Sequence, residues 1–173
     1  MLYKIDVDYG LENERICQSK IEKFFNEKLE KLDYYNDFDF TNKNNNLLIE
    51  LKSRRCNIDQ YEDTMISISK INKAKKIIKN KSNNVEIYFF FYYLSNELYY
   101  WKYDDKIDLR VDNNCNYRGI RKQYTYIPTN LLTKINQLIN IICIYMLKQI
   151  KFKLYVFFLV IYFKIKKYIL KIK

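Results

Sequence analysis

Histidine is absent from this chain of 173 residues, and glycine occurs only twice. Without histidine the sequence excludes Ser/His/Asp triads, Cys/His dyads and histidine metal sites. Phosphate-binding loops and dinucleotide fingerprints need several glycines close together, so Gly10 and Gly119 alone exclude both. We therefore expect no nucleotide cofactor.

The four cysteines are widely separated, with neither a C-x-x-C pair nor a dense cluster among them: Cys17, Cys56, Cys115 and Cys143. Zinc sites and secreted disulfide frameworks both rely on closely spaced cysteines. The first ten residues also lack the basic and then apolar pattern of a secretion signal. These features predict free thiols in an intracellular, reducing compartment.

Charge is distributed unevenly along the chain. Residues 1–112 contain 19 Lys and Arg against 20 Asp and Glu, whereas residues 113–173 contain 12 basic residues and no acidic one. Basic charge of this kind favours contact with nucleic acid or an anionic membrane. We accordingly predict one domain at 1–138 and a basic, apolar, helical tail of uncertain role at 139–173.

The tail contains an unbroken run of ten apolar residues at 154–163. Ten residues fall well short of the roughly 20 that a membrane-spanning helix needs. A transmembrane anchor, an interfacial helix at a membrane surface, an additional core helix and a segment without function are all open for the tail.

Hydrophobic spacing predicts an α/β fold. Apolar residues recur every three to five positions in 11–32 and 63–80, as in amphipathic helices. Alternating or continuous apolar segments predict strands at 38–40, 47–53, 85–94 and 98–103 and an edge strand at 117–127, followed by a short helix at 129–138.

The first two predicted strands bring acidic residues together. Alternation in Phe38-Asp39-Phe40 predicts both Phe rings on one face and Asp39 on the other, while Glu50 and Lys52 share a face of the next strand. The polar segment 41–46 between them reads as a turn. Pairing through this turn would place Asp39 near Glu50, with both carboxylates within reach of one cation.

Asp39 followed by Glu50-Leu51-Lys52 resembles the signature of the PD-(D/E)XK nuclease superfamily. More narrowly, the chain is similar to uncharacterised members carried by giant DNA viruses. That likeness rests on the order Glu14, Asp39, Glu50, Lys52, Thr64-Met65-Ile66, Lys70, Tyr99-Tyr100-Trp101 and Ile127-Pro128. It covers about residues 8–137 and implies a restriction-endonuclease-like mixed β-sheet flanked by helices. Phe38 replaces the usual proline, and Asp37 is a competing assignment for Asp39.

The resemblance implies a role for each matched residue. Asp39, Glu50 and Lys52 would be catalytic, with Mg²⁺ or Mn²⁺ held by the two carboxylates and by Glu14. Lys52 would orient or deprotonate the attacking water, aided by the lowered pKa of a lysine near a cation. Contacts with nucleic-acid phosphates are implied for Arg54, Arg55, Lys70 and Lys73.

Composition supplies a competing explanation for the Glu50-Leu51-Lys52 triplet. Acid-x-Lys triplets arise easily in a lysine-rich chain, and Asp104-Asp105-Lys106 is a second one in this sequence. Our leading hypothesis is a Mg²⁺-dependent endonuclease acting on DNA, as a monomer or a homodimer. The alternatives are a non-catalytic nucleic-acid-binding or interaction module on the same fold, and a protein that associates with membranes through its tail. If the chain is viral, the expected location is the host cytoplasm or the viral factory.

Overall fold

The computed structural model describes residues 2–33, 35–80, 84–117 and 120–135, all within one compact unit that extends from Met1 to Ile135. The predicted tail and its boundary at 138 lie outside the described residues. The elements are α1 (Leu2–Phe25), β1 (Leu29–Lys31), β2 (Phe40–Asn42), β3 (Leu47–Ser53), β4 (Asp63–Ser67), α2 (Ile68–Asn80), β5 (Glu86–Tyr92), β6 (Leu98–Lys102), β7 (Arg110–Tyr117), β8 (Ile120–Pro128) and β9 (Thr133–Lys134).

The described strands form two sheets. The larger sheet has the order β1-β2-β3-β5-β6-β9, and the smaller has the order β4-β8-β7. Strands β3 and β5 are parallel, with α2 in the crossover between them, and the other pairs are antiparallel. The predicted α/β class with a mixed sheet flanked by helices is confirmed, as is the hairpin β5–β6. Strands β2 and β3 pair as predicted, but β2 spans Phe40–Asn42. The strand predicted at 38–40 therefore lies two residues too early, and residues 41–42 belong to the strand and not to the turn predicted at 41–46.

The larger sheet is covered by one helix on each face. On the first face α1 packs against alternate residues of the central strands, including Ile49, Leu51 and Phe90. On the second face α2 contributes Ala74 to a cluster containing Phe89. Strand β5 supplies buried side chains to both clusters, and a strand covered on both faces is expected to read as a continuous apolar segment.

Helix α1 buries Asn13, Cys17 and Ile21, whose spacing of four keeps them on one face. The helix ends at Phe25, and the next residue, Asn26, has a left-handed φ of 54°. Within the described residues every non-glycine residue of positive φ is an asparagine: Asn26, Asn45, Asn84 and Asn96. Asparagine tolerates this conformation better than most residues, so in a chain so poor in glycine it takes over glycine's usual turn positions. Neither described helix combines the length and the apolar content of a membrane span.

The helix boundaries inferred from periodicity need correction. The helix predicted at 11–32 is α1, which begins at Leu2 and is followed by β1. The helix predicted at 63–80 consists of β4 and then α2. In β4, Thr64 and Ile66 are buried while Met65 between them is exposed, because successive side chains of a strand point to opposite faces. The strand pairs with β8, whose partner residues lie 57–65 positions further along the chain, and such distant pairing leaves no local signal.

Two other predicted elements differ from the structure. The strand predicted at 117–127 is β8, which is no edge strand because it lies between β4 and β7. In place of the helix predicted at 129–138, residues up to 135 form a single 3-10 turn at Thr129–Leu131 and then β9, which pairs with β6. The backbone of these last residues is used to extend the sheet.

We expect Gly10→Ala to stabilise the protein. Gly10 lies inside α1, and a Cβ atom placed there meets no atom within 4 Å. Alanine loses less backbone entropy on folding, so the free energy of unfolding should rise by about 0.5–1 kcal/mol. Urea unfolding measures the change, and a lower midpoint for Gly10→Ala would contradict the open helical environment.

Candidate active site

Glu50 lies at the centre of β3 and is 0% exposed. It shares the α2 face of the sheet with Leu48 and Lys52, and Phe89 stands beside it on β5. An ionised carboxylate in such apolar surroundings carries a large desolvation cost unless cations compensate it. The position of this carboxylate therefore depends on its charged neighbours.

Two lysines supply that compensation. The Lys52 ammonium contacts Oε1 of Glu50, and the Lys70 Nζ lies 2.9 Å from Oε2. Lys52 is two residues further along β3, which places it on the same face as Glu50. Lys70 comes from the first turn of α2, so this ion pair also attaches the helix to the sheet.

Asp39 lies beside Glu50 and is fixed by three hydrogen bonds. Its N–H donates to the Ile49 carbonyl at 2.8 Å, and its carbonyl accepts from the Leu32 N–H at 2.8 Å. Its carboxylate Oδ2 accepts from the Leu51 N–H at 2.7 Å. The backbone groups on either side of Glu50 thus both bind Asp39.

The regular ladder begins only at Phe40, and residues 35–39 form a turn and bends. The prediction that Phe38 and Phe40 share one face is therefore wrong. Phe38 joins the cluster beneath α2, and Phe40 joins the cluster beneath α1. Asp39 precedes β2, so its carboxylate accepts the hydrogen bond of the Leu51 N–H that a backbone carbonyl would accept within a regular ladder.

Asp37, the competing assignment, has different partners. Its carboxylate lies 2.6 Å from the Lys73 Nζ, and its carbonyl accepts a hydrogen bond from the Lys70 ammonium. Two of the lysines of α2, Lys70 and Lys73, therefore contact the segment before β2. The geometry favours Asp39 over Asp37 as the partner of Glu50.

Electrostatic effects at the centre oppose one another. Burial raises the pKa of Glu50, and the nearby Asp39 charge raises it further, against the opposing effect of Lys52 and Lys70. Burial alone would lower the pKa of Lys52, but the carboxylates of Glu50 and Asp39 outweigh it and the pKa is raised. With these neighbours Lys52 holds its proton, the reverse of the shift expected beside a cation.

Glu14, the third predicted metal ligand, is not brought to Glu50. Its carboxylate lies 2.7 Å from the Lys31 Nζ, and α1 covers the opposite face of the sheet. No group of three or more Asp, Glu or Cys side chains suited to a metal occurs among the described residues. The structure therefore places two carboxylates, Asp39 and Glu50, at the predicted centre.

The two arginines after β3 have partners within the fold. Arg54 donates from Nε to the Thr64 hydroxyl at 3.0 Å, contacts the Met65 carbonyl and lies over the Phe91 ring. Arg55 pairs with Asp6 of α1 at 3.1 Å. Phosphate contacts by Arg54 and Arg55 stay a prediction that these contacts do not favour.

Sequence reasoning missed the lysine contacts that complete the site. Lys70 and Lys73 were expected to hold phosphates, and the structure pairs them instead with Glu50 and Asp37. Their spacing of three residues is the available signal, because it puts both ammonium groups on one side of a helix.

One family model matches residues 3–114, and its description is "Phage putative PDDEXK endonuclease". The matched segment includes Asp39, Glu50, Lys52 and Lys70. No curated protein and no solved structure matches the chain. The match supports the superfamily resemblance and the restriction-endonuclease-like fold, while the narrower likeness to giant-virus members stays a prediction.

We expect Asp39→Ala to destabilise the protein more than Asp39→Asn. Alanine leaves the N–H of the buried Leu51 without its acceptor, which costs about 1–3 kcal/mol. Asparagine retains a side-chain oxygen that can accept from the Leu51 N–H, so Asp39→Asn should lower the free energy of unfolding by less than half as much as Asp39→Ala. Urea unfolding in EDTA compares the two, and equal losses would contradict this role of the carboxylate.

Proposed function

This chain belongs to the phage PDDEXK endonuclease family, and from that premise we propose that it is a divalent-metal-dependent endonuclease that hydrolyses phosphodiester bonds in DNA. One observation carries the proposal: a fully buried glutamate lies between two lysines, with an aspartate fixed beside it. A buried charge of this kind is costly to maintain, and such groups concentrate at functional sites.

The donor set fits a hard divalent cation. Oε1 of Glu50 is buried and makes no hydrogen bond within the described residues, although the Lys52 ammonium is its ion-pair partner. Asp39 adds a half-buried carboxylate, of which one oxygen binds Leu51. Mg²⁺ commonly binds through one or two carboxylates and keeps several waters, so two suffice. When bound, Mg²⁺ or Mn²⁺ would supply Lewis-acid stabilisation of a phosphoryl oxygen.

In this proposal Lys52 positions the attacking water. Its side chain is 35% exposed, so the ammonium reaches both the buried Glu50 and the solvent side of the site. The water oxygen bonds to phosphorus and a proton of the water passes to solvent, while the P–O bond to the leaving sugar oxygen breaks and that oxygen takes up a proton from solvent. The chain's own contribution is to hold the water in line through the protonated Lys52 Nζ.

The Lys70 ammonium lies where a metal ion could bind the same oxygen atoms. It binds a carboxylate oxygen of Glu50 and the Asp37 carbonyl, both hard oxygen donors that suit a metal ion equally well. Loading of the site then requires Lys70 to share or release Glu50. The released ammonium would be free to bind a substrate phosphate.

A non-catalytic DNA-binding module on the same fold is the second candidate. The same ion pairs favour it, because Lys52 and Lys70 already neutralise Glu50 without a cation. Metal dependence separates the two candidates.

We expect the protein to cut at least one of a panel of duplex, nicked, single-stranded and branched DNAs when Mg²⁺ or Mn²⁺ is added, and to stop on chelation. Lys52→Ala should lower the cleavage rate about 100-fold or more, the loss expected when the attacking water is no longer held in position. Lys106→Ala is the matched control, since it alters the exposed acid-x-Lys triplet and should keep the rate. DNA binding that is indifferent to metal, without cleavage of any substrate, would support the non-catalytic module.

We expect Lys70→Met to bind Mn²⁺ more tightly than the unaltered protein does. The substitution removes the ammonium that competes for Oε2 of Glu50, so the midpoint of thermal unfolding should fall in EDTA and rise further on adding Mn²⁺. Lys73→Met removes an equal charge one turn along α2, from a pair with the half-exposed Asp37, and controls for general electrostatics. Identical Mn²⁺ responses in the two variants would contradict the competition.

A further inference from the structure

A pocket of about 320 Å³ opens between the segment that follows β3 and the strands β4 and β8. Aromatic, thioether and aliphatic groups line much of it: Tyr61, Tyr93, Tyr126, Met65 and Ile58. Tyr61 is 59% exposed and Met65 is 43% exposed, although both are large and apolar. The described structure thus leaves flat and flexible apolar groups at the mouth of a cavity.

This pocket adjoins the candidate active site. Arg54 lines it and lies two residues beyond Lys52, a distance of about 7 Å along an extended chain. A strand whose scissile phosphate lies beside the water positioned by Lys52 would therefore have its neighbouring base within reach of the pocket.

The lining suits a flat heteroaromatic ring. Tyr126 is covered by the Arg110 guanidinium at 4.1 Å from the ring centre, and Arg110 also pairs with Asp63 of the pocket at 2.7 Å. Tyr93 is only 3% exposed, and its hydroxyl makes no hydrogen bond of normal geometry within the described residues. The pocket thus joins stacking surfaces to polar groups, as sites for unstacked bases do.

We propose that this pocket receives one unpaired base of the DNA strand whose backbone lies at Lys52. A base inside an intact duplex is stacked and paired, so it cannot enter without being extruded. The inference rests on the proposed function and specifies the class of DNA substrate. The substrate is single-stranded DNA, or duplex DNA that contains an unpaired or easily extruded base.

The first test is binding without cleavage. The full chain is titrated in EDTA against a fluorescent single strand and the matching duplex, and affinity is read by anisotropy. Tyr61→Ala should weaken binding of the single strand about 5- to 150-fold, the loss typical of one base–aromatic stack. Tyr61→Phe keeps the ring, so its affinity for the single strand should stay within about twofold of that of the unaltered protein. Neither variant should change the affinity for the duplex.

The second test locates the base. A series of single strands, each with one abasic nucleotide at a different position, should show one position at which the unaltered protein loses affinity. In the Tyr61→Ala variant the abasic nucleotide at that position should cause no further loss of affinity, because the base and the Tyr61 ring act as one pair. Equal sensitivity at every position, or unchanged binding by a folded Tyr61→Ala variant, would overturn the proposal.

Failure of this inference can be told apart from failure of the nuclease proposal. Metal-dependent cleavage of paired DNA that is unaffected by Tyr61→Ala would overturn the base pocket and leave the nuclease intact. Base-dependent binding in EDTA, with no cleavage under any metal, would support the pocket and contradict the nuclease.

Discussion

The carboxylate of Glu50 determines how the centre of this protein is assembled. It lies on a sheet face otherwise formed by apolar side chains such as Phe89, where an unpaired charge would be strongly unfavourable. Lys52 and Lys70 reach it from two different elements, one on the same strand and one on α2. The helix is consequently held against the sheet by a charge pair as well as by the apolar contacts of Ala74.

The segment before β2 is the second part of this arrangement. Asp39 binds the backbone of β3 on both sides of Glu50 and also binds the backbone after β1. Asp37, two residues earlier, contacts Lys70 and Lys73 of α2. A short irregular segment thus connects the sheet to the helix, and its two aspartates are held in different ways. Such bonding fixes the side chains that a reaction centre needs before any substrate arrives.

Local patterns could predict the elements whose signals lie in neighbouring residues. The alternation around Glu50 predicted β3, and the apolar segment at β5 with its turn predicted the next hairpin. The partner of β3 was placed two residues too early, because the polar Thr41 and Asn42, which predict a turn, are buried in β2. Contacts between distant segments left no such signal. Glu14 matched an ordered pattern along the chain, but α1 packs on the opposite face and directs that carboxylate to Lys31. Arg54 looked like a surface cation, yet Thr64 and Met65 surround its guanidinium because β4 docks there.

The parallel register of β3 and β5 bears on the order in which the protein folds. Each paired residue in this ladder lies 39 positions from its partner, as Glu50 does from Phe89. Hairpins such as β5–β6 close short loops and form quickly, whereas a ladder of high contact order has to overcome a larger loop-closure entropy first. Lys70 meets Glu50 only when the intervening helix has docked on that ladder. We therefore expect the cluster of Asp39, Glu50, Lys52 and Lys70 to be completed only after this ladder has formed, so that partly folded chains lack it.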